Sequence, residues 1–559
     1  MSQNELNQVK RLESSDSKIY TSISNTAGDK TPPHYNQYFK TKKDMLNFGI
    51  LMLGVAISMF MMSLNSTVIA PALGIIATEL NAAQDQSWIA TAYLVAVNTF
   101  QPLSGKFSVI FGSKLMFLFV IVLFFIGSLI NALSTTISLL LIGRIVQGFG
   151  SGGIFSMVFI VVAEVTPVPL RPRFQSMLAV TYGVASVAGP LLGGAFVDHA
   201  SWHWDFWLNL ILASIAFAII FFFAKPQPST KDVKFMDKVK RIDFLGTLFA
   251  TGVIVCLLLA LAWGISFGWR DGHTIGAFVA FGISLIVLII VEGWIAKEPI
   301  LPGNILLNPA CTIVYIYEAL LGLVFICGVY FTPVYFQAVF GATSMESGVR
   351  LIPFMVCLII GSLGGSFLIR AFPYTKYYAV VGASCNVLCY GLFYTVDENS
   401  NWGTQAGFLT FTGLAFGISN QSCILSVQSS VELKYIAVAT TCVNFFLMFA
   451  CSFGISIYET LTNTFVQAQY AQLPADIISR AKEYGALENY LYIRNMPVDL
   501  QRPVIQAFAR AMRNLFLVPL VISVVGLVAA LSFKNVRYGP PKSSKENEEN
   551  EKLKSEETA

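Results

Sequence analysis

Stretches of about twenty apolar residues, separated by short polar connections, recur along this chain from residue 46 to residue 533. Wound as an α-helix, a run of that length crosses a hydrocarbon core of roughly 30 Å. The pattern predicts fourteen membrane-spanning helices, near 46–69, 88–108, 115–134, 138–163, 176–198, 206–224, 243–263, 275–295, 311–333, 350–370, 377–396, 404–425, 438–460 and 512–533. Two longer polar segments interrupt the rhythm, a basic linker at 225–242 and a loop at 461–511.

Lysine and arginine set the orientation, because they concentrate in cytoplasmic connections. The connections two–three (Lys106, Lys114), four–five (Arg171, Arg173), six–seven (Lys225, Lys231, Lys234, Lys238, Lys240, Arg241) and ten–eleven (Arg370, Lys376) are basic. Those on the other side hold Glu79 and Asp85, then Asp198 and Asp205, then Asp397 and Glu398, with Arg270 the exception. Both termini are therefore expected in the cytoplasm. That requires an even number of spans and favours fourteen over thirteen. The linker 225–242 then falls on the cytoplasmic side and the loop 461–511 on the other.

Composition agrees with lipid as the solvent. The chain is 55% hydrophobic and 12% charged, about half the charged content of soluble domains. A soluble core of this size would split into domains. The net charge of +4 is small and scattered, which argues against nucleic acid as a partner. All nine cysteines (Cys256, Cys311, Cys327, Cys357, Cys385, Cys389, Cys423, Cys442 and Cys451) lie in apolar runs. Their spacing suits neither a disulfide framework nor a metal site, and they read as helix-packing residues. The four histidines, His34, His199, His203 and His273, lie outside the runs, and no nucleotide-binding loop is present. No metal, cofactor or catalytic centre is expected, so the chain reads as a carrier of a small solute rather than an enzyme. Residues 1–45 are polar and are expected to form a disordered cytoplasmic tail, leaving the first span to direct insertion. The Lys- and Glu-rich residues 534–559 read as a solvated cytoplasmic tail.

Several segments carry more specific information. Span one contains Leu64-Asn65-Ser66-Thr67-Val68-Ile69-Ala70-Pro71-Ala72-Leu73, and span two opens on Trp88-Ile89-Ala90-Thr91-Ala92-Tyr93-Leu94 and ends on Gln101-Pro102-Leu103-Ser104-Gly105-Lys106-Phe107. Span four holds Leu141-Ile142-Gly143-Arg144-Ile145-Val146-Gln147-Gly148, and span five Gly189-Pro190-Leu191-Leu192-Gly193-Gly194, followed by Ser201-Trp202-His203-Trp204. Tyr335-Phe336-Gln337-Ala338-Val339-Phe340-Gly341 precedes Ser347-Gly348-Val349-Arg350-Leu351-Ile352-Pro353. Together and in this order, these segments resemble the fourteen-span drug:proton antiporters of the major facilitator superfamily, particularly the fungal branch, over nearly all of residues 46–533.

The resemblance implies an all-α membrane protein of the major facilitator fold, with two six-helix bundles around a central cavity. The bundles would occupy 46–224 and 296–533, with two inserted helices in 243–295 between them. It also implies roles for particular residues. Arg144 would be a cavity arginine that interacts with span one and tunes proton transfer. It lies about six residues into its span, roughly 9 Å deep, where a charge is costly unless it faces a partner or snorkels to the interface. Its expected partner position, commonly an aspartate in the family, is Asn65, which hydrogen-bonds but cannot carry a proton. Glu318, about seven residues into span nine, is then the best candidate for the proton-carrying group, because desolvation disfavours a charged carboxylate. Glu164, Glu292 and Glu459 lie nearer to helix ends. Gly189, Pro190, Gly193 and Gly194 match the antiporter motif, whose bare surface lets helices close tightly against proton leak.

The gating loop after span two departs from the family pattern G-x-L-x-D-R-x-G-R-K. Gly105, Gly112 and Lys114 survive, while Val109, Ile110 and Ser113 replace the aspartate and two arginines. The charge relay that latches the bundles on the cytoplasmic side is therefore missing. The latch should weaken unless another contact takes over. The expected function is proton-coupled efflux of small organic or toxic compounds, by a monomer, in the plasma membrane rather than the vacuolar membrane. The aromatic content of 13% suits flat or cationic substrates. The alternatives are vacuolar transport of basic amino acids, a proton-independent facilitator, or a transporter-like sensor.

Overall fold

Every apolar run predicted from the sequence is a helix in the computed structural model. In chain order these are α1 (Lys42–Val68), α2 (Gln86–Phe111), α3 (Ser113–Ala132), α4 (Ile137–Val165), α5 (Arg171–His199), α6 (Trp204–Phe223), α7 (Phe244–Ser266) and α8 (Gly272–Ile290). Then follow α9 (Pro309–Ile326), α10 (Ile352–Ala371), α11 (Thr375–Phe393), α12 (Trp402–Ser430), α13 (Ile436–Tyr470) and α14 (Val498–Leu531). The structure describes residues 41–538, apart from 70–71, 81, 83–85, 226–236, 238–240, 242, 297–298, 300–302, 397–399, 433–434 and 488–489. Most of both expected tails and of the linker 225–242 lies outside the described residues, as do Asp85, Asp397 and Glu398. Gly49–Tyr538 forms one compact unit; before it, the described residues carry only the opening turns of α1.

Twelve of these helices are long and apolar enough to cross a membrane by length and composition. The other two, α2 and α11, are 26 and 19 residues long and carry polar residues along their length. Their polarity points inward: Asn98, Thr99, Gln101 and Ser104 of α2, and Thr375 and Asn386 of α11, are all buried. Polar groups turned toward neighbouring helices lower a helix's mean hydropathy without exposing those groups on its outer face.

Within the first half, α4 packs along both α2 and α3, and α6 along α3. The α1 helix joins them through Ser63, whose hydroxyl donates to the Tyr182 carbonyl of α5 at 3.0 Å. In the second half α12 packs on α10 and α11, while α14 packs on α9, α11 and α13. The halves meet where α5 crosses α10 and where α2 crosses α13. The α7–α8 hairpin sits to one side, with α7 touching α2 and α13. Of the apolar stretch of α4, 83% is buried within the protein, against 17% for α8. Accordingly α8 turns Ile275, Val279, Ile283, Ile286 and Ile289 outward, each more than half exposed. Residues three or four apart share a helix face, and a ridge of this kind is covered by lipid.

The α9 helix does not end where its hydrogen-bond pattern changes. It passes through a π turn, Cys327–Phe331, into a further helix, Thr332–Phe340. Pro333 lacks the N–H that a regular continuation needs, and Gly341, at φ 68°, closes the segment in the left-handed region.

The region 461–511, read as a loop, is largely helical. The α13 helix continues to Tyr470, a helix spans Ala475–Glu483, a 3-10 turn spans Tyr490–Asn495, and α14 starts at Val498. Gln501, Arg502, Gln506 and Arg510 dilute the hydropathy of its first turns, which shifted the predicted start to 512. With 34 residues α14 is about 50 Å long, well beyond a hydrocarbon core. At the other end of α14, the chain runs back across the turns beneath both halves. The Thr375 N–H donates to the Val536 carbonyl, the Tyr538 N–H to the Pro373 carbonyl, and the Tyr538 hydroxyl to the Val168 carbonyl. Tyr374 and Arg537 form an antiparallel bridge.

Candidate functional site

The first half encloses a polar network around Arg144, which is only 1% exposed. Its Nε donates to the Ile89 carbonyl at 3.1 Å and one terminal nitrogen donates to Gln147 Oε1 at 3.1 Å. The guanidinium carbon lies 4.2 Å from the centre of the Tyr93 ring, a cation–π contact that desolvation strengthens. Gln147 Oε1 also accepts from Asn131 at 3.0 Å, and its Nε2 donates to Ser128 at 2.8 Å. The Tyr93 hydroxyl donates to Ser151 at 2.9 Å. Arg144 therefore points into the protein rather than out to an interface.

Asn65 is completely buried in the same half, but no direct bond joins it to Arg144. Its Oδ1 accepts from Asn209 of α6 at 3.1 Å, and its Nδ2 finds no partner among the described residues. Asn209 also donates to the carbonyl of Asp205, one turn earlier, at 3.0 Å. Asp205, read from the sequence as a loop charge, lies in the first turn of α6 and is completely buried. Neither of its carboxyl oxygens has a hydrogen-bond partner among the described residues. It and Arg144 act on each other electrostatically without a hydrogen bond between them. Sequence reasoning missed this residue, although Asp205 and Asn209, four apart, share one helix face.

Glu318 lies in the other half and does not join the Arg144 network. It is fully buried on α9; its Oε1 accepts from Asn420 of α12, and its Oε2 has no hydrogen-bond partner among the described residues. The Cys423 thiol lies beside the same carboxyl. Next to it, the Tyr317 hydroxyl lies 2.8 Å from Ser419 Oγ and donates to the Ala379 carbonyl at 3.2 Å, pinning α9 against α11 and α12.

The motif glycines of α5 divide into two kinds. A Cβ on Gly189 would run into the Thr67 side chain, and one on Gly193 into the Val68 carbonyl of α1. A Cβ on Gly194 meets nothing within 4 Å. Pro190 lies between them within the unbroken α5 helix. The close approach thus seals α5 against α1. Gly193→Ala should destabilise by about 1–3 kcal/mol through overpacking. Gly194→Ala should be neutral or stabilising by up to about 1 kcal/mol. Thermal unfolding of the two purified variants in detergent checks this; equal midpoints would remove the packing argument.

Gly112, at φ 93°, makes the α2–α3 turn, a conformation that favours glycine. A Cβ on Gly105 would strike Thr441 of α13, so Gly105 marks a close contact between the halves. Lys114 stays within its own half. Its Nζ donates to the Phe221 carbonyl at 2.7 Å and lies 5.6 Å from the Phe221 ring centre.

Neutral side chains join the halves through hydrogen bonds. Ser366 of α10 donates to the Pro172 carbonyl of α5 at 2.8 Å. Gln421 of α12 donates to the same carbonyl at 3.2 Å and to Gln175 Oε1 at 3.3 Å. Gln175 in turn donates to Gln428 at 3.2 Å, and Gln428 to Thr440 of α13 at 3.1 Å. Each such bond contributes about 0.5–1.5 kcal/mol.

A cavity of about 130 Å³ lies among α2, α7 and α13, lined in part by Trp88, Thr91, Val95, Ser452, Ser456 and Glu459. Its lining includes an indole ring, hydroxyls and one carboxyl group. Above it in sequence, Asn98 of α2 donates to Ser452 of α13 at 2.7 Å, tying its walls together across the halves.

Two helical halves that meet along few helix pairs, each with buried ionisable groups in its interior, define a polytopic membrane carrier. The sequence profile of the Major Facilitator Superfamily matches residues 55–455, and the chain belongs to that superfamily. It is a multi-pass membrane transporter of small-molecule substrates. It is similar to the MFS-type transporter phomT of Diaporthe leptostromiformis, with 32% identity over 423 residues, 74% of this chain and 71% of that one. The Aspyridones efflux protein of Neocamarosporium betae is 29% identical over 494 residues, 87% of each chain. The efflux pump aflT of Aspergillus parasiticus is 28% identical over 497 residues, 87% of this chain and 95% of that one. The crystal structure of the human organic anion transporter MFSD10 shares the fold, with a TM-score of 0.51 over 85% of this chain and 99% of that one at 13% identity.

Proposed function

We propose that this protein is a fourteen-span, proton-coupled exporter of small organic or toxic compounds. On this reading residues 46–224 and 296–533 form the two moving bundles and 243–295 the inserted pair. It works as a monomer in the plasma membrane with both termini in the cytoplasm, the orientation that the basic connections favour. The observation that carries the reading is Glu318, a completely buried carboxyl with one oxygen held by Asn420 and the other unpartnered. A carboxyl so placed suits alternate binding of a proton and a cationic or polar solute. Two relatives are named for efflux, one an efflux pump and one an Aspyridones efflux protein. The cavity with Trp88 and Glu459 favours flat organic cations, which stack on indole and pair with carboxylate.

The test is the purified chain in liposomes with an imposed pH gradient, using ethidium as the probe and a trapped pH-sensitive dye. Ethidium should accumulate against proton flow, and a protonophore should abolish the accumulation. Accumulation indifferent to both gradient and protonophore would replace exchange by facilitated diffusion. Gradient-driven movement of lysine but not ethidium would point to basic amino acids.

A further inference from the structure

We propose that Asp205 is a second proton-binding carboxyl, set against Arg144, whose protonation decides whether Arg144 holds its present partners or turns to α6. The inference rests on the proton-exchange reading above and adds a site in the opposite half from Glu318.

Buried carboxylates are normally paired or hydrogen-bonded, because an unpartnered buried charge is costly. Asp205 breaks that rule twice over, with both oxygens unpartnered and no solvent exposure. Its surroundings nevertheless suit an anion as well as a neutral acid. It sits in the first turn of α6, where the helix dipole favours negative charge. Arg144, from α4, acts on it electrostatically, and only two of the five guanidinium hydrogens are used by Ile89 and Gln147.

The other ionisable groups nearby are already occupied. Glu79 accepts from the Trp202 indole at 2.6 Å. His203 stacks on Trp202 at 3.7 Å, with Nδ1 2.9 Å from the Ser201 hydroxyl and Nε2 3.3 Å from the Ser134 carbonyl. Tyr93, from α2, faces Arg144 and donates to Ser151. From α1 the facing group is the neutral Asn65, and from α3 the neutral Ser128 and Asn131 of the Gln147 cluster. His199, at the last turn of α5, is exposed.

The structure therefore corresponds to the protonated state, with Arg144 held by Ile89 and Gln147 and Asp205 disengaged. Release breaks the carboxyl O–H bond and returns the proton to water. The carboxylate then draws Arg144 through its free hydrogens. Uptake of a proton from water re-forms the O–H bond and frees Arg144 again. Because Asn209 bridges the Asp205 backbone to Asn65, the exchange reaches α1, which α5 seals at Gly189 and Gly193.

The test is an infrared pH titration of the full-length protein in liposomes, following carboxylic-acid C=O bands. Wild type should show a protonated-carboxyl band that is lost in Asp205→Asn and retained, shifted, in Asp205→Glu. The double variant Asn65→Asp with Asp205→Asn, which moves the carboxyl across the Asn209 bridge, should regain such a band. If Asp205→Asn misfolds, the Glu variant and the double variant carry the decision. An identical set of titrating bands in wild type and Asp205→Asn overturns the proposal, as does an unshifted band in Asp205→Glu. In the ethidium assay, Asp205→Asn should lower gradient-driven accumulation to the level without a gradient. If wild type itself shows no gradient-driven movement while the infrared band still depends on Asp205, proton exchange fails and the Asp205 site stands.

Discussion

Glu318→Gln abolishes gradient-driven ethidium accumulation while leaving a folded, expressed protein. The amide keeps an oxygen in place to accept from Asn420, so the contact between α9 and α12 persists. A hydrogen bond of this kind is worth about 0.5–1.5 kcal/mol, and removing a buried ionisable group lifts a desolvation cost rather than adding one. The fold should therefore stay within about 1 kcal/mol of wild type, read by thermal unfolding in detergent. What disappears is the capacity to bind and release a proton on α9. Accumulation should fall to the level seen without a gradient, and the pH-sensitive dye should report no substrate-linked proton movement. Coupling at wild-type strength in a well-folded Glu318→Gln protein would take Glu318 out of the mechanism.

Arg144→Ala has a different signature, because it damages both structure and transport. Hydrogen bonds from a charged donor stabilise by about 1.5–3 kcal/mol each, and Arg144 makes two, plus the cation–π contact with Tyr93. Its loss also removes the cation that acts electrostatically on Asp205. Transport should drop at least about tenfold, the factor that 1.4 kcal/mol in a barrier represents. Arg144→Lys should rescue little, since an ammonium cannot reproduce the forked geometry. The double variant Arg144→Ala with Asp205→Asn should regain part of the lost unfolding temperature without regaining transport. A near-wild-type transport rate in Arg144→Ala would show that the buried guanidinium only packs.

The helices were legible because each span repeats the same physical demand, about twenty residues that can face lipid. The reading blurred where that demand relaxes. With 34 residues α14 is longer than a hydrocarbon core requires, so Arg502 and Arg510 masked a helix that continues regardless. The polar residues of α2 were placed correctly only because Trp88 to Phe107 still left enough apolar surface outside. At the site, Arg144, Asn65 and Glu318 stood out as polar residues deep within apolar runs, and all three are buried. Their grouping did not follow from depth: Arg144 and Asn65 share one half without bonding, and Glu318 belongs to the other. Asp205 escaped because it follows a tryptophan-rich turn, and charge counting assigns such a residue to a loop. The glutamine contacts were beyond sequence reading altogether. Gln421 meets Gln175 across 246 positions, and no local pattern marks a neutral side chain as the partner of another so distant.

The strap that follows α14 gives the protein a tether. Its hydroxyl end holds the turn before α5 through Val168, while its backbone holds the α10–α11 turn through Pro373 and Thr375. One short piece of chain thus grips both halves on a single face. Any separation of the halves on that face would have to break these hydrogen bonds.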